Sequence, residues 1–410
     1  MTVQAKLAAS LLLLGLSASA WSAKKVDLDY HVKLLPQSDQ AEVRLSLSQG
    51  SAVRSLNFDL GRDGDYSDFK ADGQWQVTPD AGASRGLWQP GADKASLIYR
   101  VRLSHARKAG IYESRMTPSW ALFRGEDLVP AARLDQQDGV ELVSRLTFEL
   151  PPGWKSVETA WPRIGKHKFR IDNVSRLFDR PTGWMVAGSL GSRRVRLGET
   201  EITVASPKGQ AMRRMDVLTL LTFVWPQVQA AFPRHPAKLL LVGASDPMRR
   251  GAFAGRDSVY LNSRTPLVSE NGSSPLIREV VQAIGRFNDH QGSDWISEGL
   301  AEYYAIELLR RAGGISDERY GAIQARLSKD GKGVTTLRGE HVNGATVARA
   351  VVVLQELDRE IRLKTHNKRS LDDLTQALMR LDSFSTKEFV QLAESVIGQS
   401  SVVLDSKLLR

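Results

Sequence analysis

The chain contains no cysteine. That excludes disulfides, thiolate metal sites, a cysteine nucleophile and a lipid-anchoring cysteine behind a leader segment. It suits an oxidising compartment, where stray thiols are a liability. Past the first twenty residues no apolar run approaches the roughly 20 residues needed to span a bilayer, so the mature chain is expected to be soluble. Aromatic residues make up 7%, and none of them interleave with dense Lys/Arg stretches. A nucleic-acid partner is therefore excluded. Internal repeats and low-complexity tracts are also missing.

What is present reads as globular. The 410 residues are too many for one ordinary core, so two domains are the natural expectation. Residues 1–20 read as a secretory signal peptide. Lys6 is their single charge, Leu7 to Leu16 form the apolar stretch, and Ala18-Ser19-Ala20 offer small residues before a cut at Trp21. The expected location is periplasmic or secreted. The formal net charge is +10. Such a surface favours weak contact with anionic envelope components, although the basic residues are scattered and read equally as diffuse surface charge.

Residues 21–204 read as a β-rich domain. Val26 to Val32, Ala41 to Leu47 and Ser96 to Leu103 alternate apolar and polar side chains. A period of two means one buried and one wet face. The character changes near 205. Gln210 to Phe232 is a helix candidate with a kink or break expected at Pro226. Leu239 to Val242 and Ser258 to Leu261 are short buried strand candidates. Helices are then expected from Ser274-Pro275 to about Phe287, from an Asp294 cap to the Gly313-Gly314 stop, over Thr346 to Leu363, and near 371–381 and 386–397.

The chemistry concentrates in two of these helices. Leu276-Ile277-Arg278-Glu279-Val280-Val281-Gln282 places Arg278 and Gln282 four residues apart on one helical face, with Glu279 beside them. Trp295-Ile296-Ser297-Glu298-Gly299-Leu300-Ala301-Glu302-Tyr303-Tyr304 follows. Further along stand His341-Val342-Asn343-Gly344-Ala345, Leu357 to Arg362 and Ser370 to Leu374. Ahead of the first helix lies Gly251-Ala252-Phe253-Ala254-Gly255. In this order and spacing the segments resemble the paired signature of gluzincin metallopeptidases, closest to the glycyl aminopeptidase family. The resemblance is good from about 275 to 398 and architectural before that.

The resemblance implies roles residue by residue. Arg278 stands at the first zinc-binding histidine, Glu279 at the general base, Gln282 at the second histidine and Glu298 at the third ligand. His341 stands where the family has a tyrosine that stabilises the tetrahedral intermediate. Gly251, Phe253 and Gly255 match the family's substrate-binding edge strand, which here lacks its acidic residue. Tyr303 belongs to the second motif, where it reads equally as a packing residue. The metal positions are degenerate. Zinc takes neutral imidazole, thiolate or carboxylate. A guanidinium has no lone pair to give and keeps its charge, and an amide oxygen is a poor partner for this ion.

These readings combine into one expectation. The fold is α+β: an N-terminal antiparallel β-sandwich-like domain (21–204), then a mostly helical thermolysin-like peptidase domain (205–410). The function expected is that of a pseudopeptidase without cofactor, binding a peptide or protein ligand in the interdomain cleft. Two alternatives stay open. One is an active metallopeptidase or aminopeptidase-like hydrolase with an altered zinc site, for which His290, Asp289 and Asp294 could supply substitute ligands. The other is a basic, envelope-associated structural protein. Where the zinc bridge would stand, an Arg278–Glu298 ion pair is expected, with Gln282 as a neutral neighbour. Glu279 is not expected to join, because consecutive helical side chains diverge.

Overall fold

The computed structural model describes residues 24–61, 64–80, 82–91, 93–171, 178–339 and 342–410. The signal-peptide reading over 1–20 and the site candidate His341 lie outside the described residues. No helix among the described residues is long and apolar enough to cross a membrane.

Three sheets build the first half. A seven-stranded sheet is centred on Lys24–Leu35, flanked by Gln40–Leu47 and Val140–Glu149. The alternation of Val26, Leu28, Tyr30 and Val32 buries all four completely. A four-stranded sheet carries Leu56, Phe58 and Trp88, and its inner face shares one core with the seven-stranded sheet. A five-stranded sheet centred on Trp120–Arg124 completes the half. The sheets are not purely antiparallel: Lys24–Leu35 runs parallel to Val140–Glu149 over ten paired residues. Alternation reports which face is buried and carries no strand direction, so the expected antiparallel pattern needs this correction.

The second half is also corrected. It is a mixed α/β layer and not mostly helical. The hairpin Leu190–Leu197 and Thr200–Pro207 opens a five-stranded sheet, continued in parallel by Lys238–Ala244 and Ser258–Asn262. Ala252–Gly255 is its antiparallel edge strand. Both faces of this sheet are covered. Leu239 and Leu241 face the helical core, while Leu240, Val242 and Ala244 meet Trp120, Leu122, Trp184 and Val186 of the first half. A strand buried on both sides reads as an unbroken apolar run, which periodicity alone cannot separate from a buried helix.

The helices mostly follow their sequence signals. Pro275–Gly285 starts at the Ser274 cap and Trp295–Arg311 stops before Gly313. Arg214–Ala231 begins later than expected and continues through Pro226 without a break. Pro226 and Thr222 both lie on the exposed face, so the carbonyl that proline deprives of a partner is left to water. The helix Asp317–Asp330 has no counterpart in the sequence reading. Only Ile323 and Leu327 of it are buried, too few for a visible apolar stripe.

The seam between the halves is wired by polar bonds as well as packing. Ser258 Oγ accepts the Trp184 N–H at 2.8 Å, and the Trp184 indole donates to the Phe253 carbonyl at 2.9 Å. Ser258 is fully buried. Ser258→Ala would strand a buried backbone donor, so it should destabilise the protein by about 1–3 kcal/mol in urea unfolding. A loss below about 0.5 kcal/mol would mean that the seam relaxes to find another acceptor.

Candidate functional site

The site begins with a helix whose apolar residues leave one face for polar groups. In Pro275–Gly285, Leu276, Ile277, Val280, Val281 and Ile284 are buried. Ser274 Oγ accepts the Ile277 N–H at 3.2 Å, and Pro275 occupies the first helical position, where a missing N–H costs nothing. The four-residue spacing then carries Arg278 and Gln282 to the side facing Trp295–Arg311. Gly299 of that second helix lets the helix Gly344–Lys364 come close: a Cβ there would sit 2.8 Å from Ala350 Cβ. This packing seats Glu298 opposite Arg278.

All three guanidinium nitrogens of Arg278 face carboxylates. Nη2 donates to Glu298 Oε2. Nη1 donates to Glu279 Oε1 at 2.7 Å, and Nε lies 3.5 Å from Glu302 Oε2. Gln282 Nε2 donates to the other Glu298 oxygen at 3.2 Å. Glu279 joins despite being the next residue in the helix, because the long arginine side chain curls back to reach it. Its second oxygen accepts the Ala254 N–H of the edge strand at 2.8 Å. One cation therefore ties together two helices and, through Glu279, the sheet edge.

The electrostatics follow from this crowding. Burial works against the charge of Arg278, but Glu298, Glu279 and Glu302 outweigh it and hold the guanidinium more firmly protonated than usual. Burial pushes the Glu279 carboxyl up, and Arg278 and the Ala254 N–H offset only part of that. Among the described residues no three His, Asp or Glu side chains form a group able to hold a metal ion.

The remaining sequence candidates separate. Gly255 lines a cavity of about 470 Å³ together with Ala254, Gln282, Ser297 and Glu298. Gly251 lies just outside the edge strand at φ +115°, and its N–H donates to Thr265 Oγ1 at 3.0 Å. Phe253 stacks on Tyr260 at the seam and holds the Arg249 guanidinium 3.9 Å from its ring centroid. Tyr303 is buried edge-to-face against Tyr304 in the helical core. His290 Nε2 lies 2.9 Å from Ser383 Oγ. Asp294 precedes the second helix without a side-chain cap bond. Asp289 takes that place and accepts the Ser297 N–H at 3.3 Å.

Sequence reasoning passed over three contributors. Glu302 could have been found, since Glu298 and Glu302 are one helical turn apart and share a face. Arg256 and Arg286 also line the cavity, but one ends a strand and the other caps a helix, and no spacing links them.

No protein-family model matches the chain, and no curated protein matches it significantly. Solved structures do. An aminopeptidase N family protein from Idiomarina loihiensis is 14% identical with a TM-score of 0.65, over 91% of this chain and 71% of that one. A mutant M1 zinc metallopeptidase from Deinococcus radiodurans, bound to a Tyr-Ser-Ala substrate, is 13% identical with a TM-score of 0.56, over 95% and 94%. Leukotriene A4 hydrolase from Saccharomyces cerevisiae is 13% identical with a TM-score of 0.57, over 94% and 66%. At such identities the likeness concerns the fold, which is that of the M1 zinc metallopeptidases.

Two measurements probe the site. Arg278 and Glu298 keep 25% and 34% of their side-chain surface exposed. A double-mutant cycle with Arg278→Met and Glu298→Gln should therefore give a coupling of about 1–2 kcal/mol, between surface and buried values. Zero coupling would remove the pair as a tie between the helices. Asp289 is pushed up to about 6, first by burial, against 3.8 for a free aspartate. The folded state then binds the proton more tightly than the unfolded one, so stability falls as pH rises from about 4 to about 6. Asp289→Asn keeps an acceptor for Ser297 and removes the charge. It should gain up to about 3 kcal/mol over the parent at pH 7 and little at pH 4. An equal difference at both pH values would contradict this.

Proposed function

We propose that this protein is an exported pseudopeptidase: it uses a peptidase fold to bind a peptide or protein ligand in the cleft beside Arg278 and does not hydrolyse it through zinc. The observation that carries this reading is the Arg278 guanidinium held among Glu279, Glu298 and Glu302. A permanent cation stands where the fold's relatives would need a lone-pair donor. The Gln282 amide nitrogen is turned to Glu298, and Arg278 also holds both Glu279 and Glu298. Zinc therefore does not fit this set of side chains, since a dication would have to displace a guanidinium that cannot lose its charge.

The ligand reading draws on the cavity. Ser297, Gln282 and Glu298 offer hydrogen-bonding groups of both kinds, and Gly255 borders it with backbone, since a Cβ there would meet Ser258 Oγ at 2.9 Å in the seam. A structural relative from Deinococcus radiodurans binds Tyr-Ser-Ala. Export rests on the leader-like pattern of Leu7 to Leu16 followed by Ala18-Ser19-Ala20.

Metal analysis tests the reading directly. The purified chain, incubated with zinc and then desalted, should retain no stoichiometric metal. Arg278→His combined with Gln282→His restores two imidazoles at the required spacing and should retain about one equivalent. Stoichiometric zinc in the parent, with peptide turnover abolished by chelator, would replace this proposal by the altered-metallopeptidase alternative. Failure of the double variant to retain zinc would mean that the groups orienting the ligands have also drifted.

A further inference from the structure

The cavity beside Glu298 has a second wall of opposite charge. It is formed by Arg256, just past the edge strand, and Arg286, just past the end of the first site helix. Arg286 stands in the left-handed region at φ +50°, a conformation that costs a non-glycine residue energy and turns its side chain back toward the strand. There it donates to Asp257 Oδ2, leaving its Nε shielded from solvent without a partner.

Arg256 is the more telling residue. Among the described residues its guanidinium has no ion pair and no hydrogen bond. Its Nε is shielded from solvent and unpartnered. It lies over the Trp161 ring at 5.6 Å. Behind it stands Arg234, whose Nη2 donates to the Gly285 carbonyl at 3.2 Å. Burial and then the neighbouring Arg286 weaken the hold of Arg234 and Arg256 on their protons. Glu126 and Asp179 favour the charged form of Arg256 from nearby but accept hydrogen bonds from neutral groups. Both Glu126 oxygens accept the Gly183 N–H, at 3.1 and 3.0 Å, and Asp179 accepts Ser144 Oγ at 3.2 Å. Three arginines thus cluster around Asp257, which bonds Arg286, while the charges of Asp179 and Glu126 also act on Arg256 without forming an ion pair with it.

At Arg256 burial and the neighbouring Arg286 outweigh the three nearby carboxylates, so a further anion beside it would be favoured. A guanidinium with free donors facing a cavity is well suited to a carboxylate, which it can hold through two parallel hydrogen bonds. We infer that this wall is a specificity site for a carboxylate of the bound peptide, either an acidic side chain or the C-terminus. The inference rests on the reading of the cleft as a peptide site. It gives the two walls complementary tasks: Glu298 and Gln282 meet the peptide's amide groups, and Arg256 with Arg286 receives its negative charge. Ala254 and Gly255 on this edge offer no carboxylate that could hold a peptide's free amine instead.

Calorimetric titration of the full mature chain at 50 mM NaCl tests this, using four acetylated pentapeptides. Two are amidated and carry Glu or Gln at the centre of a glycine background. Two are all glycine, one amidated and one with a free C-terminal carboxylate. The Glu peptide, the free-carboxylate peptide or both should bind about tenfold more tightly than their neutral counterparts, a modest yield for one charge-assisted pair. Which of them does so identifies the source of the carboxylate. Raising the salt to 500 mM should erode the preference. Arg256→Gln should abolish it while the variant keeps a single cooperative unfolding transition, and Arg256→Lys should retain part of it. Equal binding of charged and neutral peptides would overturn the inference while leaving the peptide cleft standing. No binding of any peptide at millimolar concentration would overturn both. A preference that survives Arg256→Gln would remove this wall from recognition.

Discussion

The organising constraint of this molecule is the meeting of several carboxylates in a place too dry to leave them unpaired. Glu279 and Glu298 come from two helices, and Glu302 from the next turn of the second. Their mutual repulsion would part the helices unless a cation stood among them. Arg278 is that cation. It bonds Glu279 and Glu298 and comes within 3.5 Å of Glu302. The contact also reaches the sheet, because Glu279 accepts the Ala254 N–H. One side chain thus links two helices and an edge strand that already share an apolar core, and a guanidinium supplies the fork geometry that a compact ammonium would lack.

The rest of the cleft follows from how that strand is held. Ala252–Gly255 ends a sheet whose other face is packed against the first half of the chain. Trp184 is the hinge pin of this packing: its backbone N–H binds Ser258, its indole binds the Phe253 carbonyl, and its ring lies 5.1 Å from Tyr260. With the strand fixed from behind, its forward side and the helix ends in front enclose the cavity. The two walls then differ in charge for a geometric reason. The helix flank carries Gln282 toward Glu298, while the helix end releases Arg286 toward Arg256 and Asp257.

Much of the architecture was legible in the sequence, and the failures have physical causes. The alternation in Val26 to Val32 marked a half-buried strand because one face meets the core and the other meets water. The cap Ser274 marked a helix start because its hydroxyl accepts an orphan N–H group. The five-stranded sheet of the second half was underestimated, since strands covered on both faces lose the alternation that identifies them. The helix Asp317–Asp330 was invisible for the opposite reason, having almost no buried face. Asp294 was read as a cap from its position alone, whereas Asp289, brought over by the connecting loop, makes the bond to Ser297.

By itself the sequence determined which side chains share a helical face: Arg278 with Gln282, and Glu298 with Glu302. That follows from the 3.6-residue period, a local property of the backbone. It also determined that the guanidinium on that face, Arg278, has no lone pair to offer a metal. Only the tertiary structure decided which of those faces meet, that Glu279 and Glu302 share Arg278 with Glu298, and that Phe253 and Tyr303 turn into packed cores. It alone brought Arg234, Arg256 and Arg286 together from a loop, a strand end and a helix end. Contacts of that kind join residues far apart in the chain, and their energy depends on burial and on neighbours that no local pattern records.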